Sequence, residues 1–102
     1  MLNSVVLVGR ICEQPTFIKS ESGKKHCELK IAVPRPYKNI EGEYETDFIP
    51  CVLWAEVAKN VVECCKSGDL IGIKGRNQCF GNELKVVAER VTFLSANKEE
   101  EK

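Results

Sequence analysis

Residues 46–76 read TDFIPCVLWAEVAKNVVECCKSGDLIGIKGR, and the succession of patterns within them decides the fold. Thr46–Trp54 is too hydrophobic for a strand with one wet face. In a strand, alternate side chains point to opposite sides. Ile49, Cys51 and Leu53 therefore share one face, and Phe48, Pro50, Val52 and Trp54 share the other. The first set suffices for a core, which leaves two large rings on the second face. The period then changes. Val57, Val61 and Cys64 recur at i, i+4 and i+7, with Ala58, Val62 and Cys65 alongside, which predicts a helix. Lys66 in its last turn and Gly68 as its C′ residue predict the stop. DLIGIKGR then resumes strand character.

The flanks extend this pattern in both directions. LNSVVLVGRIC is a β-branched strand in which Gly9 marks a bulge or a close backbone approach. QPTFIKSESGKKHCELKIAV reads as a hairpin turning near Ser22-Gly23. In its second arm Cys27, Leu29, Ile31 and Val33 face one way, and Glu28, Lys30 and Ala32 the other. PRPYKNIEGEYE, with Pro34, Pro36 and Gly42, predicts a long loop. Gly81-Asn82 marks a tight hairpin. In the last strand Leu84, Val86 and Ala88 share one parity and Val91 and Phe93 the other, so a bulge is expected near Glu89-Arg90. Five strands with one helix between the third and fourth define an all-β, five-stranded OB-fold barrel. It occupies residues 1–95, and residues 96–102 read as a short disordered charged tail.

The bulk numbers agree with one small domain. The chain has 102 residues, 43% of them hydrophobic, and its 15 basic and 15 acidic residues cancel. Zero net charge argues against a polybasic binder but permits a local basic groove. The tail NKEEEK carries three glutamates against two lysines, so the folded part is slightly more basic than the whole. No secretory signal is present. No stretch approaches the roughly 18 apolar residues that span a bilayer. The expected location is the cytoplasm, with no membrane contact.

Six cysteines, at 12, 27, 51, 64, 65 and 79, show no CxxC, and the chain has a single histidine, His26. Adjacent Cys64 and Cys65 lie about 100° apart around a helix, a poor metal pair. They read as free thiols serving as small core hydrophobes, with no metal and no cofactor. His26 is expected at a hairpin edge, solvated or capping. Glu41, Glu43, Glu45 and Asp47 fall in the expected loop, where acid is usually solvated. No catalytic constellation or phosphate-binding glycine loop appears, so an enzyme has no residues to support it.

Several segments together carry a resemblance: NSVVLVGRI, Pro15, LKIAVPR, TDFIPCVLW, AKNVVECCKSGDLIGIKGRNQ and VVAERVTFL, between residues 3 and 94. The chain resembles the bacterial-type single-stranded-DNA-binding proteins of the tetrameric OB-fold family. That resemblance implies binding of single strands through stacked aromatics and basic side chains, and assembly as a homotetramer or, in some members, a dimer. By position, Phe48 and Trp54 match the aromatics of the family's third strand, and Tyr37 the aromatic after the second. Arg35 matches a common basic residue, and Phe80 falls near an aromatic of the last hairpin. Departures are equally specific. Ile18 and Lys19 stand where the family has a basic residue followed by an aromatic, and the Gly81-Asn82 hairpin is short. The sequence ends at NKEEEK, without the acidic, apolar-tipped tail that docks replication and repair proteins.

Sequence-neutral binding of single strands needs rings on which any base can stack, each worth about 1–3 kcal/mol, and cations near the phosphates. Trp54, Phe48, Tyr37 and Phe80 are the candidate rings. Arg10, Arg35 and Arg76, with Lys19, Lys30, Lys38, Lys74 and Lys85, are the candidate cations. Phe17 is expected in the core. Val5 and Leu7 share one parity and Val6 and Val8 the other, so both faces of the first strand are apolar. One serves the core, and the other predicts an oligomer interface, because an open apolar edge invites aggregation. The leading reading is an oligomeric, non-enzymatic protein that binds and protects single-stranded DNA in replication, recombination or repair. The alternatives are a primosomal, replication-restart accessory that binds DNA and partner proteins, and a purely structural OB module.

Overall fold

A computed structural model describes residues 2–94. The expected tail, 96–102, lies outside the described residues. The strands are β1 (Val5–Ile11), β2 (Phe17–Lys19), β3 (Lys25–Lys38), β4 (Tyr44–Trp54), β5 (Leu70–Phe80) and β6 (Glu83–Phe93). The single helix, α1 (Ala55–Cys64), lies between β4 and β5. Five long strands form the barrel in the order β1-β5-β6-β4-β3, and a β1–β3 pairing closes it. β2 is the short first arm of the expected hairpin and pairs only with β3.

Closure occurs where Arg10 and Ile11 meet Ala32 and Ile31. There a Cβ at Gly9 would collide with the Ala32 carbonyl oxygen and the Ile31 side chain, so this glycine serves a close backbone approach. The β4–β6 pairing is parallel, with Cys51 opposite Val86 and Val52 opposite Val87. On β6 the register slips between the Lys74–Arg90 and Gly75–Ala88 pairs, leaving Glu89 as the extra residue. That bulge is the one the parity shift predicts, and it lets Val86 and Ala88 on one side and Val91 and Phe93 on the other all pack inward.

The core is Ile11, Cys27, Leu29, Ile31, Cys51, Leu53, Ile71 and Ile73 from the barrel, closed at one end by Ala58, Val61 and Cys65. Each of the larger aliphatic chains contributes about 1.5–3 kcal/mol on full burial. Burial pushes the Cys51 thiol up to about 12 and the Cys65 thiol up to about 11, the latter also through Asp69 and Cys64. These two, with Cys27, are small core hydrophobes. Cys64 and Cys79 are exposed instead, which corrects the expectation of uniform burial, and all six are free thiols.

Three local expectations fail for physical reasons. The helix stops at Cys64 and Cys65 is its C-cap, earlier than Lys66 and Gly68 predict. The Asp69 carboxylate accepts the Lys66 N–H at 2.9 Å and draws the chain into a turn. Gly68 does adopt positive φ, +93°, but inside that turn, where its N–H bonds the Ile11 carbonyl of β1. The prolines at 34 and 36 do not make a loop either. β3 runs through them to Lys38, and the register slips between Pro34 and Lys38, so the missing donors fall at an irregularity. The turn beyond is tight: the Asn39 side-chain oxygen accepts the N–H groups of Glu41 and Glu43, both at 2.9 Å, and Gly42 supplies φ +82°. Phe17 lies on β2, outside the barrel, and is 40% exposed rather than core.

Candidate nucleic-acid interface

Directly opposed residues on paired strands share a face, so the registers map the outer surface. Arg10, Ala32 and Phe48 form one row across β1, β3 and β4. Lys30 and Pro50 form the next. Glu28, Val52, Val87 and Arg76 form a third, and Ile18, His26 and Trp54 a fourth. Phe48 is 60% exposed at one end of this surface and Trp54 37% exposed at the other. Six residues of strand separate them by about 20 Å.

The second face of Thr46–Trp54 is not uniformly open. Val52 is buried, as is Val87 opposite it, yet neither belongs to the core cluster. The two are opposite each other in the parallel β4–β6 register, and on the same face Lys85 reaches from β6 to Glu28 of β3, Nζ–Oε1 3.6 Å. Phe48, Lys30, Pro50, Leu84 and Lys85 line a groove of about 520 Å³ that also holds Glu13, Glu28 and Glu83. Lys85 further pairs with Glu83 and lies 5.4 Å above the Phe80 ring.

Trp54 has a partner that its own neighbourhood in sequence does not suggest. The His26 ring stacks on it, centroids 4.5 Å apart and planes 26° apart. His26 is buried, not solvated as expected. Its Nε2 lies 3.0 Å from Glu28 Oε2, and its Nδ1 is buried without a hydrogen-bond partner. The Nε2–H tautomer fits this environment, since it donates to the carboxylate and leaves only a lone pair unmatched. The hydrogen bond from His26, followed by the Lys85 charge, holds the Glu28 carboxyl below its ordinary value against partial desolvation. Trp54 therefore has one ring face backed and the other available. The next residue, Ala55, has φ +54°, a left-handed conformation that L side chains resist, at the junction that ends β4 and starts α1.

The remaining candidates divide by location. Tyr37 is 62% exposed on the far arm of β3, near Tyr44 at 59%, over whose ring the Lys38 ammonium sits at 5.8 Å. Arg35 on the same arm is tied down. Its guanidinium donates to both Asp47 oxygens and, at 2.8 Å, to Glu45. Those contacts hold the Asp47 carboxyl low and raise Arg35. Arg76 pairs with Glu89 at 3.0 Å, and Lys74 approaches the same carboxylate at 3.9 Å. Arg10 donates to the Gly68 carbonyl. Lys19 and Lys30 are exposed and have no ion pair among the described residues.

The β1 candidates split by parity. Val5 and Leu7 pack against the core, while Val6 and Val8 point outward, 71% and 51% exposed. Val6, Val8, Gly72, Thr92 and Leu94 line a shallow apolar groove that Lys74 and Arg90 border. Lys74 thus lies with this groove and apart from Phe48 and Trp54. Among the described residues no cluster of three or more His, Cys, Asp or Glu could hold a metal, and no helix is long and apolar enough to cross a membrane.

A closed five-stranded barrel with a helix after its third long strand is an OB-fold, and this one exposes rings and cations on one face. The sequence model of the single-strand binding protein family matches residues 2–94, and the chain belongs to that family. It is 42% identical to single-stranded DNA-binding protein 3 of Listeria innocua, over 94% of this chain and 66% of that protein. It is 38% identical to single-stranded DNA-binding protein 1 of Clostridium acetobutylicum, over 96% of this chain and 98% of the relative. Single-stranded DNA-binding protein B of Bacillus subtilis is 35% identical, over 92% of this chain and 91% of its own length. The chain thus spans about two thirds of the Listeria protein and nearly all of the other two.

Proposed function

We propose that this chain binds single-stranded DNA without regard to sequence and protects it during replication, recombination or repair. The observation that carries the reading is the surface with Phe48 at one end and the His26-backed Trp54 at the other, in a member of the single-strand binding protein family. Bases stack on these two rings, and Tyr37 and Phe80 extend the path. Lys30 lies beside Phe48 and meets phosphates as the strand crosses the barrel. Binding is an equilibrium of stacking and charge neutralisation, and it calls for no catalytic group or cofactor.

Oligomerisation, to a homotetramer or a dimer, belongs to the same proposal. Supporting it are the outward pair Val6 and Val8, the apolar groove they share with Leu94, and the unpaired outer edge of β1 before Arg10. A cytoplasmic setting, in a bacterium or a phage or plasmid host, fits such work. The test is titration of fluorescently labelled oligo-dT of about 16 nucleotides, the upper site size of one OB-fold, with the particle mass measured alongside. Tight binding at low salt that weakens steeply with added salt, by a particle of two or four chains, is the expected result. A monomer with no affinity at low salt would refute the proposal.

A further inference from the structure

Four of the eight cations read from the sequence are held by carboxylates. Arg35 is held by Asp47 and Glu45, Arg76 and Lys74 share Glu89, and Lys85 lies between Glu28 and Glu83. A guanidinium or ammonium already matched to a carboxylate releases little counterion when a phosphate arrives, because the carboxylate has done the neutralising. Beyond Lys19, Lys30 and Lys38, which have no ion pair among the described residues, further unmatched charge lies together in one place.

Between the β2–β3 hairpin and α1 lies an open groove of about 730 Å³, lined by Phe17, Trp54, Lys24, Lys25, Lys59 and Glu63, with Ala55 at its base. Its wall is largely apolar, yet three lysines rim it against one glutamate. None of the three has a carboxylate within ion-pair distance among the described residues. Lys25 is placed by Phe17, whose ring lies 5.4 Å beneath its ammonium. Lys19 adds to the charge from β2, directly opposite Lys25 in the register. Trp54 belongs to this groove as well as to the barrel face, so the two surfaces meet at its ring.

We propose that this groove is a phosphate-binding extension of the single-strand path: DNA that stacks on Trp54 continues into it, with its backbone against Lys24, Lys25 and Lys59. The inference rests on the single-strand-binding reading and goes beyond it in assigning a share of the salt-dependent part of affinity to residues off the barrel face. Phe17 is a positioning residue here, holding Lys25 over the groove. Charge complementarity commits the occupant to a polyanion, and continuity with Trp54 makes that polyanion the same strand. An acidic protein segment would have no reason to share the tryptophan.

The test compares oligo-dT binding by the wild type, by the triple variant Lys24→Gln/Lys25→Gln/Lys59→Gln, and by Lys66→Gln as a control in the turn after α1. Circular dichroism and thermal melting first establish that all three are folded. Each phosphate contact on a single strand contributes about 0.7 to the slope of log affinity against log salt. The triple variant is therefore expected to lose about 2 from that slope and to bind at least about tenfold more weakly at low salt, while Trp54 is still quenched at saturation. Phe17→Leu is expected to shift the slope in the same direction by less than one lysine's share. Wild-type slope and affinity in the triple variant would overturn the assignment and leave the barrel-face reading standing. A slope loss of about 0.7 in Lys66→Gln, the same per charge, would overturn it too, since the effect would then be bulk charge. Failure of the wild type to bind at all would instead strike the single-strand-binding reading itself.

Discussion

His26 puts a ring behind the chain's only tryptophan, so the Trp54 side chain is packed on one of its faces. A preorganised ring loses less freedom when a base arrives, so the backing adds to affinity without touching DNA. His26→Ala removes it. An aromatic pair is worth about 0.5–1.5 kcal/mol beyond burial, so affinity for oligo-dT should fall about 2- to 10-fold, with lower steady-state anisotropy of Trp54 in the free protein. His26→Phe restores a ring but not the bond to Glu28, and it should recover both readouts. Equal loss in the two variants would assign the effect to Glu28 instead. None of this was legible in the sequence. The core parity of Cys27, Leu29 and Ile31 was, because a strand's own alternation reports it. The burial of His26, the burial of Val52 and the exposure of Phe17 depend on neighbouring strands, which a single segment does not contain.

The strand-to-helix junction shows how an element is aimed. β4 delivers Trp54 to its end, and the chain must turn at once to lay α1 under the barrel with Ala58 and Val61 inward. It does so by forcing Ala55 to φ +54° with no side-chain cap on the helix start. Left-handed backbone costs an L-residue roughly 1–2 kcal/mol. Ala55→Gly should therefore stabilise the protein by about 1 kcal/mol, read as a higher urea midpoint at unchanged m-value. A lower midpoint would mean that the glycine's extra freedom in the unfolded chain outweighs the relieved strain. The helix itself was readable from its period, but its end was not, since the Asp69 carboxylate and not Gly68 stops it. The β3–β4 arm was misread for a related reason. Pro34, Pro36 and Gly42 signal a loop locally, while pairing of Lys38 with Tyr44 keeps the arm extended. That arm carries the exposed Tyr37 on a hairpin whose arginine is already matched to two carboxylates, so what it presents is a ring and not a free guanidinium.

At the scale of the whole barrel, Glu28 and Lys85 tie β3 to β6 over β4. A carboxyl whose value is depressed in the folded state stabilises it above the unfolded value, and that contribution fades as pH falls through the folded value. Glu28 is depressed, first by the His26 hydrogen bond. Glu28→Gln should thus be less stable than wild type at neutral pH by under about 1 kcal/mol, as befits a partly exposed pair. The gap should hold down to about pH 4.5, the group's ordinary value, and close below it. A gap that does not change with pH would remove the ionic tie. The same barrel separates its surfaces: Phe48 and Trp54 line grooves on one part, and Val6 and Val8 line one on another. The alternation of Thr46–Trp54 anticipated a second face on β4, but not that Val52 on that face is buried.

Because Trp54 is the sole tryptophan, its emission reports that ring and nothing else. The most direct test is therefore titration of the unlabelled protein with oligo-dT while following that emission at low salt. A base on the open face should quench it in a saturable way, with the quenching reversed by added salt. Binding seen by another probe with Trp54 emission unchanged throughout would contradict the account, because the strand would then be bypassing the ring on which the whole surface is organised.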